Sequence, residues 1–181
     1  MTCAQCHQLF TARVGAVTCS TKCRVAYSRR QPPRELMALP RWVRHRNKVP
    51  LTVDGRNASS TNADTWADFD TVAQSDIGDG FGFVLAGDGI ACIDLDHCLV
   101  DGRALPWARD ILARCPDTYV EVSPSGTGLH IFGFAEIGKG RRNDGVEVYD
   151  RGRYMTVTGR RFSKFPARLA NITELVESLP A

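Results

Sequence analysis

Residues 81–96 read F-G-F-V-L-A-G-D-G-I-A-C-I-D-L-D, and their pattern decides the fold class. Two short β-rich runs, residues 81–85 and 90–94, flank Ala86-Gly87-Asp88-Gly89. Glycines between apolar runs are a hairpin signal, because glycine enters the left-handed turn region without steric cost. The same grammar recurs downstream. Residues 118–123 (T-Y-V-E-V-S) and 129–134 (L-H-I-F-G-F) flank P-S-G-T-G, and residues 146–149 and 154–158 flank D-R-G-R. Each is expected to be a strand pair. Helices are expected over residues 107–114, with Trp107, Ile111 and Leu112 inward, over residues 172–179, and over residues 65–74, capped from residues 61–64 with Trp66 in the core. The expected architecture is α/β of the α+β kind, with a hairpin-built, largely antiparallel sheet.

The chain of 181 residues is long enough to bury a core, and its 43% hydrophobic and 24% charged residues exclude collagenous and disordered classes. No apolar run approaches the roughly 18 residues that span a bilayer. The start, M-T-C-A-Q-C, has neither the basic end nor the apolar stretch of a signal peptide. A cytoplasmic protein with no membrane partner is expected. The formal net charge of +3 is unevenly spread: +9 over residues 1–50, −10 over 51–138, +6 over 139–168 and −2 over 169–181. Both basic blocks are rich in arginine, which suits phosphate contacts. The acidic centre would repel a polyanion unless its carboxylates hold cations, which points to divalent metal.

Four of the seven cysteines, Cys3, Cys6, Cys19 and Cys23, form C-x2-C-x12-C-x3-C. An odd total with two close pairs fits tetrahedral zinc on four thiolates better than disulfides. His7 offers an alternative ligand beside Cys6, but four cysteines complete the site. Residues 11–17 read as a small hairpin, and Ser20 as the cap of a helix over residues 21–30, ended by Pro32-Pro33. So few large apolar residues would hardly fold without the metal. The segment is expected to be a structural four-cysteine zinc finger over residues 1–33, presenting Lys22, Arg24, Arg29 and Arg30 to a nucleic acid backbone. Residues 34–181 form the second domain.

The chemistry falls at strand ends. Asp94-Leu95-Asp96 projects two carboxylates from one strand face at period two, and hard cations such as Mg²⁺ or Mn²⁺ relieve their repulsion. Alone, the motif is weak, and two solvent-facing acids at a strand end account for it in most sequences. The segment S-P-S-G-T-G-L-H, residues 123–130, brings a glycine-rich turn whose backbone N–H groups and hydroxyls suit an anion, with Ser125, Gly126 and Gly128 in the turn and His130 on the strand after it. It is not a Walker A loop, because no G-x4-G-K-[ST] occurs. Glu147 adds a third strand carboxylate. Arg142 and Arg153, on either side of it, belong to a basic frame suited to a triphosphate or a template strand.

Together, I-D-L-D at 93–96, S-P-S-G-T-G-L-H at 123–130 and V-E-V-Y-D-R-G-R-Y-M-T-V-T-G at 146–159 resemble the primase-polymerase branch of the archaeo-eukaryotic primase superfamily, its phage and plasmid types most closely. The resemblance covers roughly residues 36–162. It implies an RRM-like catalytic core and two-metal nucleotidyl transfer. Asp94, Asp96 and Glu147 would be ligands to Mg²⁺ or Mn²⁺, with Asp150 competing for the third place. His130, with Ser125 or its neighbours, would touch the phosphates of an incoming NTP or dNTP. The zinc finger would hold template DNA or the nascent primer. The implied activity is a DNA primase, or DNA-directed polymerase, acting on single-stranded DNA in phage or plasmid replication inside a bacterial host. A separate replicative helicase is expected as partner, since no ATPase segment follows residue 181. Two other classes share these residues: an inactive nucleic-acid-binding replication factor, and a metal-dependent nuclease.

Overall fold

The computed structural model describes residues 3, 8–11, 16, 18–29 and 31–179. The chain divides into two compact units, Met1–Gln31 and Pro32–Ala181. In the smaller unit a helix, α1 (Thr21–Arg29), starts where Ser20 caps it: the Ser20 hydroxyl accepts from Cys23 N–H at 3.1 Å. Cys6, His7, Arg30 and most of the expected hairpin over residues 11–17 lie outside the described residues.

The larger unit is built on two antiparallel sheets. Strands β1 (Trp42–Arg46), β2 (Val49–Leu51), β3 (Gly80–Ala86) and β11 (Arg151–Val157) make one, in the order β11-β3-β1-β2. Strands β4 (Ile90–Leu95), β7 (Tyr119–Val122), β8 (Leu129–Phe134), β9 (Arg141–Asn143) and β10 (Val146–Tyr149) make the other, in the order β7-β8-β4-β10-β9. A two-stranded ribbon, β5 (Leu99–Val100) and β6 (Arg103–Ala104), completes the set.

Alternation of side chains gives the five-stranded sheet two different faces. Ala91, Ile93, Leu95, Val120, Leu129 and Ile131 turn one way. They meet Ala108 and Ile111 of α4 (Pro106–Arg114) and Leu175 and Val176 of α5 (Thr173–Glu177). Trp107 and Leu112 pack at the margin of this core, half-buried. Cys92, Tyr119 and Phe132 belong to the second core, with Trp42, Phe83, Leu85 and Met155 of the other sheet. Leu36 of α2 (Arg34–Met37), and Phe69 and Val72 of α3 (Phe69–Gln74), join it. Trp42 is fully buried, meets Phe69 and Phe83 edge-on at 4.8 and 5.2 Å, and spends its indole N–H on Leu36 O at 3.0 Å.

Three local expectations are overturned by long-range pairing. The runs around residues 86–89 do not form a hairpin, because both edges of β3 are taken by β1 and β11, and both edges of β4 by β8 and β10. Gly87 and Gly89, at φ 78° and 90°, instead carry the chain from one sheet to the other. Residues 146–157 cross back in the same way, so β10 and β11 are not partners, and Gly87 N–H donates to Asp150 O at 2.8 Å where the crossings meet. The helix expected over residues 65–74 begins only at Phe69. Ala67 exchanges two backbone hydrogen bonds of 2.9 Å with Trp42, which keeps it extended, and Asp68 becomes the cap through Thr71 N–H at 2.8 Å. Trp66 is half-buried and donates to Ser59 O at 2.6 Å.

Close approach requires glycine at Gly133 in β8. A Cβ there would lie 2.5 Å from Ile172 Cγ2 and 2.7 Å from Ala170 O. Its absence lets residues 170–172 run against the strand, with Phe134 N–H on Ala170 O at 2.8 Å and Ile172 N–H on Phe134 O at 2.9 Å.

Candidate active site

One row of side chains crosses the five-stranded sheet. Glu121 on β7 is the register partner of His130 on β8, His130 of Asp94 on β4, Asp94 of Glu147 on β10, and Glu147 of Arg142 on β9. Antiparallel register places such partners side by side on one face. Asp96 follows two residues after Asp94, with its N–H held by Gly145 O at 2.7 Å. The row borders a cleft of about 220 Å³ lined by Asp94, Asp96, Ser123, Ser125, His130, Glu147 and Tyr149, and by Lys48, Arg153, Tyr154, Met155 and Thr156 from the other sheet and its β1–β2 turn.

Asp94 is the conflicted group of the cleft. Its side chain is 20% exposed and Oδ1 has no hydrogen-bond partner. Burial pushes its carboxyl above the usual range, the nearby Asp96 and Glu147 carboxylates add to that, and His130 and Lys48 oppose it. His130 Nε2 stands 3.6 Å from Asp94 Oδ1, while Nδ1 lies 3.2 Å from Glu121 Oε1. Burial alone would lower the His130 pKa. The hydrogen bond and charge of Glu121, the charge of Asp94 and a hydrogen bond to the Thr156 backbone outweigh it and hold the pKa above the ordinary histidine value.

Glu147 is occupied at both oxygens: Arg142 Nε meets Oε1 at 2.7 Å and Tyr149 Oη donates to Oε2 at 2.9 Å. Arg153 stacks on the Tyr149 ring at 4.7 Å. Asp150 faces elsewhere. Its carboxylate accepts from Ile137 N–H at 2.8 Å, Gly138 N–H at 3.2 Å and the Arg151 guanidinium at 2.9 and 3.1 Å, and it does not line the cleft. Glu147 is therefore the third acid of the cleft.

The turn between β7 and β8 is wired through hydroxyls. Ser123 Oγ accepts from Gly128 N–H at 3.2 Å and lies 3.0 Å from Ser125 Oγ, which lies 3.0 Å from Thr127 Oγ1. Gly126 takes φ +81°, and a Cβ on Gly128 would lie 2.8 Å from Leu95 O. Gly126, Gly128 and Arg142 thus shape or border the site, while Ser125, His130 and Arg153 line the cleft itself. Arg160 clamps the turn by donating to Ser123 O.

Residues present fit divalent cations at Asp94, Asp96 and Glu147, since an unpartnered buried carboxylate oxygen among like charges is relieved by a cation. The three acids share the cleft without closing to ligand spacing. Among the described residues, the only three candidate ligand atoms all within 4.8 Å of one another are the thiols of Cys3, Cys19 and Cys23. Cys19 and Cys23 Sγ stand 3.5 Å apart, and Cys19 N–H donates to Cys3 Sγ at 3.3 Å. Three thiols at that spacing can hold a metal such as zinc.

No family model matches the chain. It is similar to a phage primase-polymerase. The protein named DNA Primase-polymerase from Nitratiruptor phage NrS-1 is 39% identical over 137 residues, 67% of this chain and 19% of the phage protein. The match thus spans about a fifth of the length of that relative. Among the described residues, no helix is long and apolar enough to cross a membrane.

Sequence reading missed Glu121, Lys48 and Tyr149. For Glu121 the signal was present: in T-Y-V-E-V-S the valines alternate with Tyr119, Glu121 and Ser123, so the acid shares a face with the next strand's His130 once the turn sets the register. Lys48 follows Asn47 in a tight turn, at φ 63° and 50°, and only the approach of the other sheet brings it to the cleft.

Proposed function

We propose that the larger unit catalyses template-directed nucleotidyl transfer as the catalytic part of a DNA primase-polymerase. One observation carries the reading: Asp94, half-buried with a buried and orphaned oxygen, shares a cleft with Asp96, Glu147, His130, a hydroxyl-rich turn and two cationic side chains. The order β7-β8-β4-β10, with α4 between β4 and β7, supports an RRM-like core. Similarity to the phage primase-polymerase supports DNA and nucleotides as the substrates.

Asp94, Asp96 and Glu147 would hold Mg²⁺ or Mn²⁺, which lowers the pKa of an attacking 3′-hydroxyl and neutralises phosphate charge when bound. His130 Nε2 presents a donor to a phosphate oxygen, and Lys48 and Arg153 add positive charge across the cleft. The Ser123–Ser125–Thr127 hydroxyls hold the turn in one shape, so its donors meet a triphosphate without first ordering. The cysteine cluster, with Cys6 as fourth ligand, would hold zinc as a structural ion that closes a small domain whose sequence has few large apolar residues.

A second reading, an inactive nucleic-acid-binding replication factor, is favoured by the occupied Glu147 and the open spacing of the three acids. Labelled-nucleotide incorporation on single-stranded DNA with Mn²⁺ or Mg²⁺, with and without a primer and beside Asp94→Ala, separates the two. Products from unprimed template, absent in the variant, establish priming. Extension only from a supplied primer leaves a polymerase. DNA binding without incorporation supports the binding factor, and DNA loss without nucleotides indicates a nuclease.

A further inference from the structure

Glu121 is fully buried and does not line the cleft. A buried carboxylate persists where hydrogen bonds and a counter-charge replace its water. Oε2 accepts from Tyr119 Oη at 2.8 Å and from Gly159 N–H at 2.9 Å. Thr158 N–H reaches both oxygens, at 3.0 and 3.1 Å, and Oε1 lies 3.2 Å from His130 Nδ1. His130 is 3% exposed, with Phe132 set edge-on to its ring at 6.2 Å, so the ring is held by its neighbours. We infer that Glu121 is a positioning residue: it engages His130 Nδ1 and so turns Nε2 toward the phosphates of the incoming nucleotide. What Nε2 meets rests on the nucleotidyl-transfer reading; the coupling of Glu121 to His130 does not.

Chemistry makes this separable from a structural role for Glu121 as a staple for residues 158–159. In Glu121→Gln the amide oxygen takes the Oε2 place, where three N–H or O–H donors converge. The amide N–H₂ then faces His130 Nδ1, which must accept rather than donate, so the bond that sets the ring is reversed.

The experiment combines ¹⁵N-histidine NMR with nucleotide kinetics on the full chain, using His130→Ala to assign the resonances. The wild type is expected to show a hydrogen-bonded His130 Nδ1–H signal that Glu121→Gln loses. Nucleotide kcat/KM is expected to fall roughly ten- to a hundredfold, the range of a lost supporting contact, with primer-template affinity unchanged. In a His130→Ala background the same substitution should cost nothing further. Unchanged His130 resonances in Glu121→Gln, or an equal loss in both backgrounds, overturns the inference. If Glu121→Gln does not fold, absence of the Nδ1–H signal from the wild type overturns it. A wild type that incorporates no nucleotide refutes the nucleotidyl-transfer reading, while the spectra still decide the coupling.

Discussion

Replacing Asp94 by asparagine is expected to stabilise the metal-free protein and to abolish its stabilisation by metal. One imidazole, His130, is shared between the carboxylates of Glu121 and Asp94, and Asp94 Oδ1 gains no hydrogen bond from it at 3.6 Å. Asparagine keeps the size of the side chain, removes the charge that Asp96 and Glu147 repel, and leaves a paired Glu121 and His130. The relief is about 1 kcal/mol, within the range of substitutions that remove a functional conflict, and raises the melting temperature by roughly 2–4 °C. Because the folded carboxyl titrates above its unfolded value, its cost grows as pH rises between the two values and persists at neutral pH. The advantage of asparagine should therefore be full at pH 7 and vanish below the ordinary carboxylate range. Manganese at about a hundredfold over its dissociation constant adds roughly 2.7 kcal/mol to the wild type alone, reversing the order. The assay is thermal melting at several pH values along a manganese titration, without chelator so that the cysteine cluster is undisturbed. A metal-free variant melting at or below the wild type would refute the conflict, and equal shifts with manganese would remove Asp94 from the metal site.

Gly133→Ala forces a methyl onto Ile172 and the Ala170 carbonyl, and should cost about 1–3 kcal/mol, seen as a lower denaturant midpoint at unchanged slope. An unchanged midpoint would mean residues 170–172 do not press on β8. Cys23→Ser removes one of three clustered thiols, so bound zinc per chain, measured by elemental analysis, should drop well below the wild type; retained zinc would exclude the cluster as the site. Arg142→Ala breaks a pair whose guanidinium side is 76% exposed, so melting should move by no more than about 2–4 °C. With Glu147 Oε1 released, manganese affinity read by paramagnetic resonance should rise. A weaker affinity would mean that Arg142 orients Glu147 for the metal rather than competing with it.

Local sequence determined the elements that local physics controls. Alternating valines and isoleucines wrote the strands, P-S-G-T-G closed β7 on β8, Pro106 opened α4, and the cysteine spacing brought Cys3, Cys19 and Cys23 together. The acids and histidine of the cleft were legible too, because period-two spacing puts Asp94 on the face that β8 presents with His130. Only tertiary structure decided which strand edges meet. The glycines at 87 and 89 permit a hairpin and a crossing equally, and the choice lay with β1, β8, β10 and β11, which are distant in sequence. That same pairing set the register joining Glu121 to His130 and Glu147 to Arg142, and turned Asp150 away from Asp94. A turn's preference is a property of a few residues, whereas an edge is satisfied by whichever backbone reaches it, and that depends on the whole chain.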